Sequence, residues 1–213
     1  MSKEATVSKP YARRAIVKGA AWSLPVVAAA VAAPAAVAST GSLSLAFTAS
    51  QTSLLSLSLL DGVGVITAQA LTTVPTMLTF TNGSGAVSGL ATITVSIGRP
   101  AGINLPIGTA RGFGVAAFGG TPTTAGQRTT TYQSAAVVGQ YGFPATTWTN
   151  SQMVTIASNG TLNVPIVFGL AGVSTGVAVS LLATFPVTVT VVIGGRTLTA
   201  VSGISVPVGA GLL

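Results

Sequence analysis

The sequence predicts an all-β protein, an antiparallel β-sandwich behind an N-terminal signal segment. Three observations predict it. Apolar and hydroxyl residues alternate with a period of two in run after run beyond residue 38. Glycine- and asparagine-bearing turns punctuate these runs at short spacing. No segment beyond residue 38 sustains a helical period.

Residues 1–38 read as an export signal peptide. Arg13 and Arg14 form a twin-arginine pair, and Ile16, Val17 and Lys18 follow in the apolar, apolar, lysine order of such signals. No charge occurs from Gly19 to Ala38. Ala36-Val37-Ala38 is a small-x-small cleavage site, which makes Ser39 the new N-terminus. Ala12 stands where these signals usually carry Ser or Thr, so the general secretory route is a rival reading. An uncleaved anchor is another. Against it, the apolar stretch is mostly Ala and Val and is interrupted by Pro25 and Pro34. A stable span needs about 20 residues richer in Leu, Ile and Phe. No stable membrane span is expected after cleavage.

Beyond the signal, Arg99, Arg111, Arg128 and Arg196 are the cations and Asp61 is the acid, a net charge of +3. Such scattered arginines cannot track a phosphate backbone, so nucleic acid is excluded as a partner. Solubility must come from Ser, Thr, Asn and Gln. That surface repels its own copies weakly, so self-association is expected. The chain has no Cys, hence no disulfide and no lipid-anchor thiol. Its length suffices to bury roughly 70% of the unfolded surface without staples.

The strands follow in order. Leu43-Ser44-Leu45, Leu55 to Leu59 and Leu78 to Thr81 alternate, and Ala91 to Ile97 is the clearest case. Val187 to Val191 repeats it. Each places one face in the core and one in water. Asp61-Gly62, Asn159-Gly160 and Gly194-Gly195 read as two-residue hairpin turns, and 82–85 as a longer turn. Pro165 lies in an alternating run, which predicts an edge strand or a bulge over 162–168. Residues 119–131 and 139–151 read as surface loops. The organisation predicted is a signal over 1–38, strands or a hairpin added by 39–71, and a sandwich over 72–213.

Two stretches resemble known groups. "RRAIVKGAAWSLPVV" is similar to the twin-arginine leaders of actinobacterial surface proteins. "LTFTNGSGAVSGLATITVSI", over 78–97, resembles immunoglobulin-like bacterial surface domains, and "NGTLNVPIVFGLAG" looks like their region before the last strands. The resemblance implies an immunoglobulin-like antiparallel β-sandwich in a secreted or wall-associated protein. This chain departs from those domains in lacking their acidic residues and in being longer than one unit.

Catalytic chemistry is hard to place. Beyond residue 38 there is no His, Cys, Lys or Glu. A Ser–His–Asp relay lacks its base, and glycoside hydrolysis lacks a second carboxylate. Zinc and calcium sites lack ligands. No cofactor and no metal is expected. Gly112 to Ala117 matches G-x-G-x-x-A, but the following helix and the acid about 20 residues on are missing, so a glycine-rich strand entry is the better reading. Asp61 reads as a turn residue capping a backbone amide.

Arg128, Tyr132, Tyr141, Phe143 and Trp148 cluster in sequence, and exposed aromatics beside polar groups can stack on sugars. The alternative is that the aromatics close the end of the core. The sequence therefore predicts an exported, non-catalytic structural or adhesive protein, secreted or at the cell surface. Its expected partners are the export machinery, cell-wall glycans or itself. A carbohydrate-binding module and a membrane-inserted β-oligomer are the alternatives. The latter would need strands of about 10 residues and aromatic girdles.

Overall fold

The computed structural model describes residues 42–67, 71–175 and 183–206. The export residues Arg13, Arg14 and Lys18, and the cleavage residues Ala36, Ala38 and Ser39, lie outside the described residues. The strands are β1 (Ser44–Ser53), β2 (Ser56–Ser58), β3 (Val65–Thr67), β4 (Thr72–Thr81), β5 (Val87–Ile97) and β6 (Gly112–Phe118). They continue with β7 (Thr121–Pro122), β8 (Arg128–Ala135), β9 (Gly139–Ile156), β10 (Thr161–Ala171), β11 (Ala183–Ile193) and β12 (Arg196–Val206). One 3-10 turn, Ala125–Gln127, precedes β8. The all-β antiparallel class predicted from alternation is the class found.

The main sheet runs β7-β6-β10-β4-β12-β11-β5-β9-β8, with β1 also paired to β4. Between β4 and β12 a single residue pair, Ser205 with Thr73, holds the path together. At that weak joint the sheet curls into a sandwich-like pair of layers. One layer is β1-β4-β10-β6-β7; the other is β12-β11-β5-β9-β8. Phe113 of β6 meets Phe185 of β11 edge-on at 5.0 Å, and Phe118 of β6 meets Trp148 of β9 at the same distance. Aliphatic side chains fill the core around these rings: Leu78, Ile93, Val95, Val187, Val189 and Val191 are at most 1% exposed. Hydroxyls occupy the alternate positions, facing water, because successive strand side chains point to opposite faces.

β11 and β12 pair over their full length, closing on Gly194 and Gly195 with φ of 55° and 73°. This is the predicted two-residue turn, with positive φ at both central positions. Other turns differ from expectation. Asn159-Gly160 is not a hairpin, since β9 pairs with β5 and β8 while β10 pairs with β4 and β6. It carries the chain from one layer to the other, as 82–86 does between β4 and β5. The two crossings bond to each other: Asn159 N–H donates to Gly83 O (2.7 Å) and Asn82 N–H to Gly160 O (2.9 Å). The Asn82 side-chain amide adds bonds to Gly85 O and Ala157 O. Asp61-Gly62 lies in a wider loop, 59–64, between the paired β2 and β3.

Of the two predicted loops, one is strand throughout and the other only in part. β8 begins at Arg128, inside 119–131, and β9 runs through all of 139–151. β11 is interior, paired on one side with β12 and on the other with β5, so 187–193 is not the edge that its composition would make hazardous.

β10 changes partner midway. Thr161–Pro165 pair with β4, and Ile166–Ala171 pair with β6, with a register shift between Val167 and Phe168. Pro165 sits at the changeover rather than on an edge strand, and the bulge that is the other expectation for 162–168 is present as that register shift. The flank of β10 that β4 leaves is taken up by the β2–β3 hairpin. Leu59 bridges Leu170, Leu60 N–H donates to Leu170 O (2.8 Å), and Leu57 is 3% exposed. Gly169 permits this approach, because a Cβ there would lie 2.7 Å from the Ser58 carbonyl oxygen and 2.9 Å from Leu60. Gly169→Ala should therefore lower stability by about 1–3 kcal/mol, as overpacking does. Gly126→Ala, with nothing within 4 Å of the new methyl, should shift it by less than about 1 kcal/mol. Urea unfolding of both variants checks this, and an unaffected Gly169→Ala would mean the seam is loose.

Candidate functional site

Four of the charged side chains turn onto the backbone, and three of them meet where the 59–64 loop joins β8 and the end of β10. Asp61 Oδ2 accepts from Gly172 N–H at 2.5 Å and from the Thr130 hydroxyl at 3.3 Å. Arg111 Nη1 donates to Gly172 O at 3.2 Å. Gly172 is thus held at its N–H by the acid and at its C=O by the base. Arg128 forks, giving Nη2 to Leu60 O (3.0 Å) and Nη1 to Thr123 O and Oγ1 (3.1 and 2.6 Å). Beside them, Arg99 ties β9 to β8 through Phe143 O (3.0 Å) and Thr131 O (2.8 Å). A guanidinium suits this work because it presents five donors in a rigid plane and never loses its charge.

Tyr132 completes the latch. Its hydroxyl is within bonding distance of Val173 O (2.8 Å) and Ala110 O (3.1 Å) and accepts from Val173 N–H (2.8 Å). Gly172 has φ of 82°, and a Cβ on it would run into the Tyr132 hydroxyl. Burial pushes the Tyr132 phenol above its ordinary value of 10.0, with Asp61 acting the same way more weakly; the Val173 bond and Arg111 oppose.

Asp61 caps an amide, as its sequence suggested, but the amide belongs to Gly172 and not to its own turn. Gly112 to Ala117 is strand, β6, and its glycines serve packing: a Cβ at Gly112 would lie 2.9 Å from Pro144 and one at Gly114 2.7 Å from Leu60.

The predicted aromatic cluster does not make a platform. Phe143 and Trp148 are each 3% exposed. Phe143 meets Phe185 edge-on at 5.5 Å, and Trp148 faces Phe118. Strand alternation sends Trp148 inward and leaves Thr147 and Thr149 outside. Tyr132 and Arg128 are half-buried and bonded to backbone, and Tyr141 is half-buried opposite Gln133. The space between Arg128, Thr146 and Trp148 is too small for a water molecule. A cleft lined by Gln51, Leu57, Thr76 and Phe168 in the β4–β10 seam has about 120 Å³. That is below the several hundred Å³ of a small-molecule pocket. Among the described residues no three of His, Cys, Asp and Glu are grouped to hold a metal. No helix among them is long and apolar enough to cross a membrane.

A further candidate surface is the outer face of β9, β5, β11 and β12. Thr149, Thr94, Thr190 and Thr199 form one rank across four strands. Thr147, Ser96, Thr188 and Val201 form the next. Neighbouring hydroxyls bond across strands, Thr92 to Ser151 at 3.2 Å and Ser88 to Thr155 at 2.9 Å. Sequence reasoning put the hydroxyls of 91–97 and 187–191 on a water-facing side but did not read that side as a site, and it took the Thr-x-Thr at 147–149 for part of a loop.

Two outcomes test these assignments. Trp148→Ala should cost about 3–5 kcal/mol by urea unfolding, as a large core truncation does; an unchanged midpoint would return Trp148 to the surface. Tyr132→Phe should cost about 1–3 kcal/mol at neutral pH, because the Val173 amide loses its acceptor. It should also change the alkaline limb. The unfolded phenol ionises near its ordinary pKa while the folded one resists. The stability held by its protonated form is therefore complete below about pH 10 and is lost as pH rises through the raised folded value. Melting curves from neutral to strongly alkaline pH should show a steeper fall in the wild type than in Tyr132→Phe, and parallel curves would refute the burial.

Compared with known protein families, curated proteins and solved structures, the chain matches none.

Proposed function

We propose that this is an exported, non-catalytic protein of the cell surface or surrounding medium, with a structural or adhesive role. The observation that carries the non-catalytic part is the use of charge. Asp61, Arg99, Arg111 and Arg128 all hold main-chain groups, and no second carboxylate or imidazole stands near any of them among the described residues. A group engaged in this way is poorly placed to move a proton for a substrate, and catalysis by proton transfer needs a base with a free lone pair. The twin-arginine pair and the Ala36-Val37-Ala38 site support export. The hydroxyl-rich outer face supports a role in contact rather than in chemistry. Glycan binding through the aromatic cluster loses its support, since its two most apolar rings are buried.

Fractionation of producing cells tests the proposal. The protein should be found outside the membrane, at the mass of residues 39–213, and protease added to intact cells should reach it. Arg13→Lys with Arg14→Lys should retain it inside. A protein that keeps residues 1–38 would sink the cleavage assignment, and export indifferent to the two lysines would sink the twin-arginine route.

A further inference from the structure

We infer that the outer face of the β8-β9-β5-β11-β12 layer is an interaction surface for a second copy of this chain, packed sheet against sheet. The inference rests on the structural reading above and specifies its partner. Three observations carry it.

The first is area. Strands of about ten residues, spaced about 4.8 Å and rising about 3.3 Å per residue, give this layer a face of roughly 800 Å². That is about what each partner contributes to a stable protein interface. Twisted sheets stack face to face when their strands cross at about 30°, which is how sandwiches are built, so two outer faces can meet in the same way.

The second is charge. The outward positions of β5, of residues 147–155 in β9 and of β11 carry hydroxyl, aliphatic, thioether or proline side chains and no ionised group. Nothing on this face repels an identical one. A nucleic acid or an anionic membrane finds no cation here to pair with, so the complementary surface is itself uncharged.

The third is apolar content. Leu90 and Met153 are cross-strand neighbours, 63% and 67% exposed. Val192, one rank away, is 43% exposed, and Val201 on β12 is 72% exposed. These side chains sit among hydroxyls that already bond to one another, so bringing a second copy down leaves few polar groups unpaired. No aromatic ring lies in these ranks, which disfavours a sugar polymer as the occupant.

The test uses the protein recovered after export. Thr149→Lys and Thr199→Lys lie in the central rank, both exposed and with two strands between them, so each adds a charge without touching the core. Sedimentation velocity from low to high micromolar concentration should show the wild type associating. Each lysine variant should associate about tenfold more weakly or worse, since like charges are forced together in a homotypic contact. Leu90→Ser should weaken it too. Dilute samples of all variants should melt with the wild type, which separates loss of contact from loss of fold. A wild type that stays monomeric throughout overturns the inference, as does an oligomer insensitive to both lysines. A monomer that binds an insoluble neutral glycan through this face, and loses it with the lysines, also overturns it. Each of these leaves the exported, non-catalytic reading standing, because localisation is measured separately.

Discussion

The constraint on which the rest of the structure depends is the divided pairing of β10. A strand that bonds β4 with its first half and β6 with its second leaves an open flank above the changeover. Open flanks carry unpaired amides and carbonyls, and burying those unpaired costs free energy. The chain answers with the β2–β3 hairpin, which lies along Leu170 and places Leu57 in the core. Once the hairpin is there, its loop reaches the end of β10, and Asp61 can take the Gly172 amide. Arg128 then fixes the same loop through Leu60 O, and Arg111 takes the other side of Gly172. Loop, latch and glycine positions all follow from one change of partner.

Using ionised groups to bind backbone has a consequence for stability. A charge-assisted bond to a main-chain group is stronger than a neutral one, and these arginines act where strands diverge or bulge and the regular ladder is interrupted. β8 and β9 shift register between Thr131 and Gln133, and Arg99 donates to the Thr131 carbonyl beside that shift. A chain with no disulfide thus secures its irregular places with guanidinium groups. The same choice engages those groups with the main chain, which is what supports the non-catalytic proposal.

Much of the fold was legible because alternation reports burial directly. β5 and β11 read correctly, and Gly194-Gly195 specified its turn, since two positive φ angles demand such residues. β9 was hidden for a physical reason. Its inward positions include Thr146, Asn150 and Gln152, so the apolar rhythm breaks. Thr146 donates to Phe113 O, and Asn150 accepts from the Gln127 side chain, which makes polar groups tolerable inside. Asn159-Gly160 misled because a tight turn and a layer crossing both favour a residue at positive φ, and only long-range pairing tells them apart. Asp61 was read as a capping residue, but nothing local names a partner more than a hundred residues away. The aromatic cluster illustrates the limit of proximity in sequence: along a strand, neighbours face opposite ways.

The Thr and Ser surface also sets how the molecule responds to its surroundings. With no His anywhere and no Lys or Glu beyond residue 38, the outward positions of β5 and β11 carry no ionisable side chain. Cross-strand hydroxyl pairs such as Thr92 with Ser151 carry no net charge, so salt does not screen them as it screens surface ion pairs. A lysine- and glutamate-coated sheet would gain solubility from repulsion that rises and falls with pH and ionic strength. This sheet gives up that repulsion and in return holds the same surface under all of these conditions. For the exported protein proposed above, a sheet face without ionised groups suits a medium its cell does not control, and the second copy inferred above would meet that face unchanged.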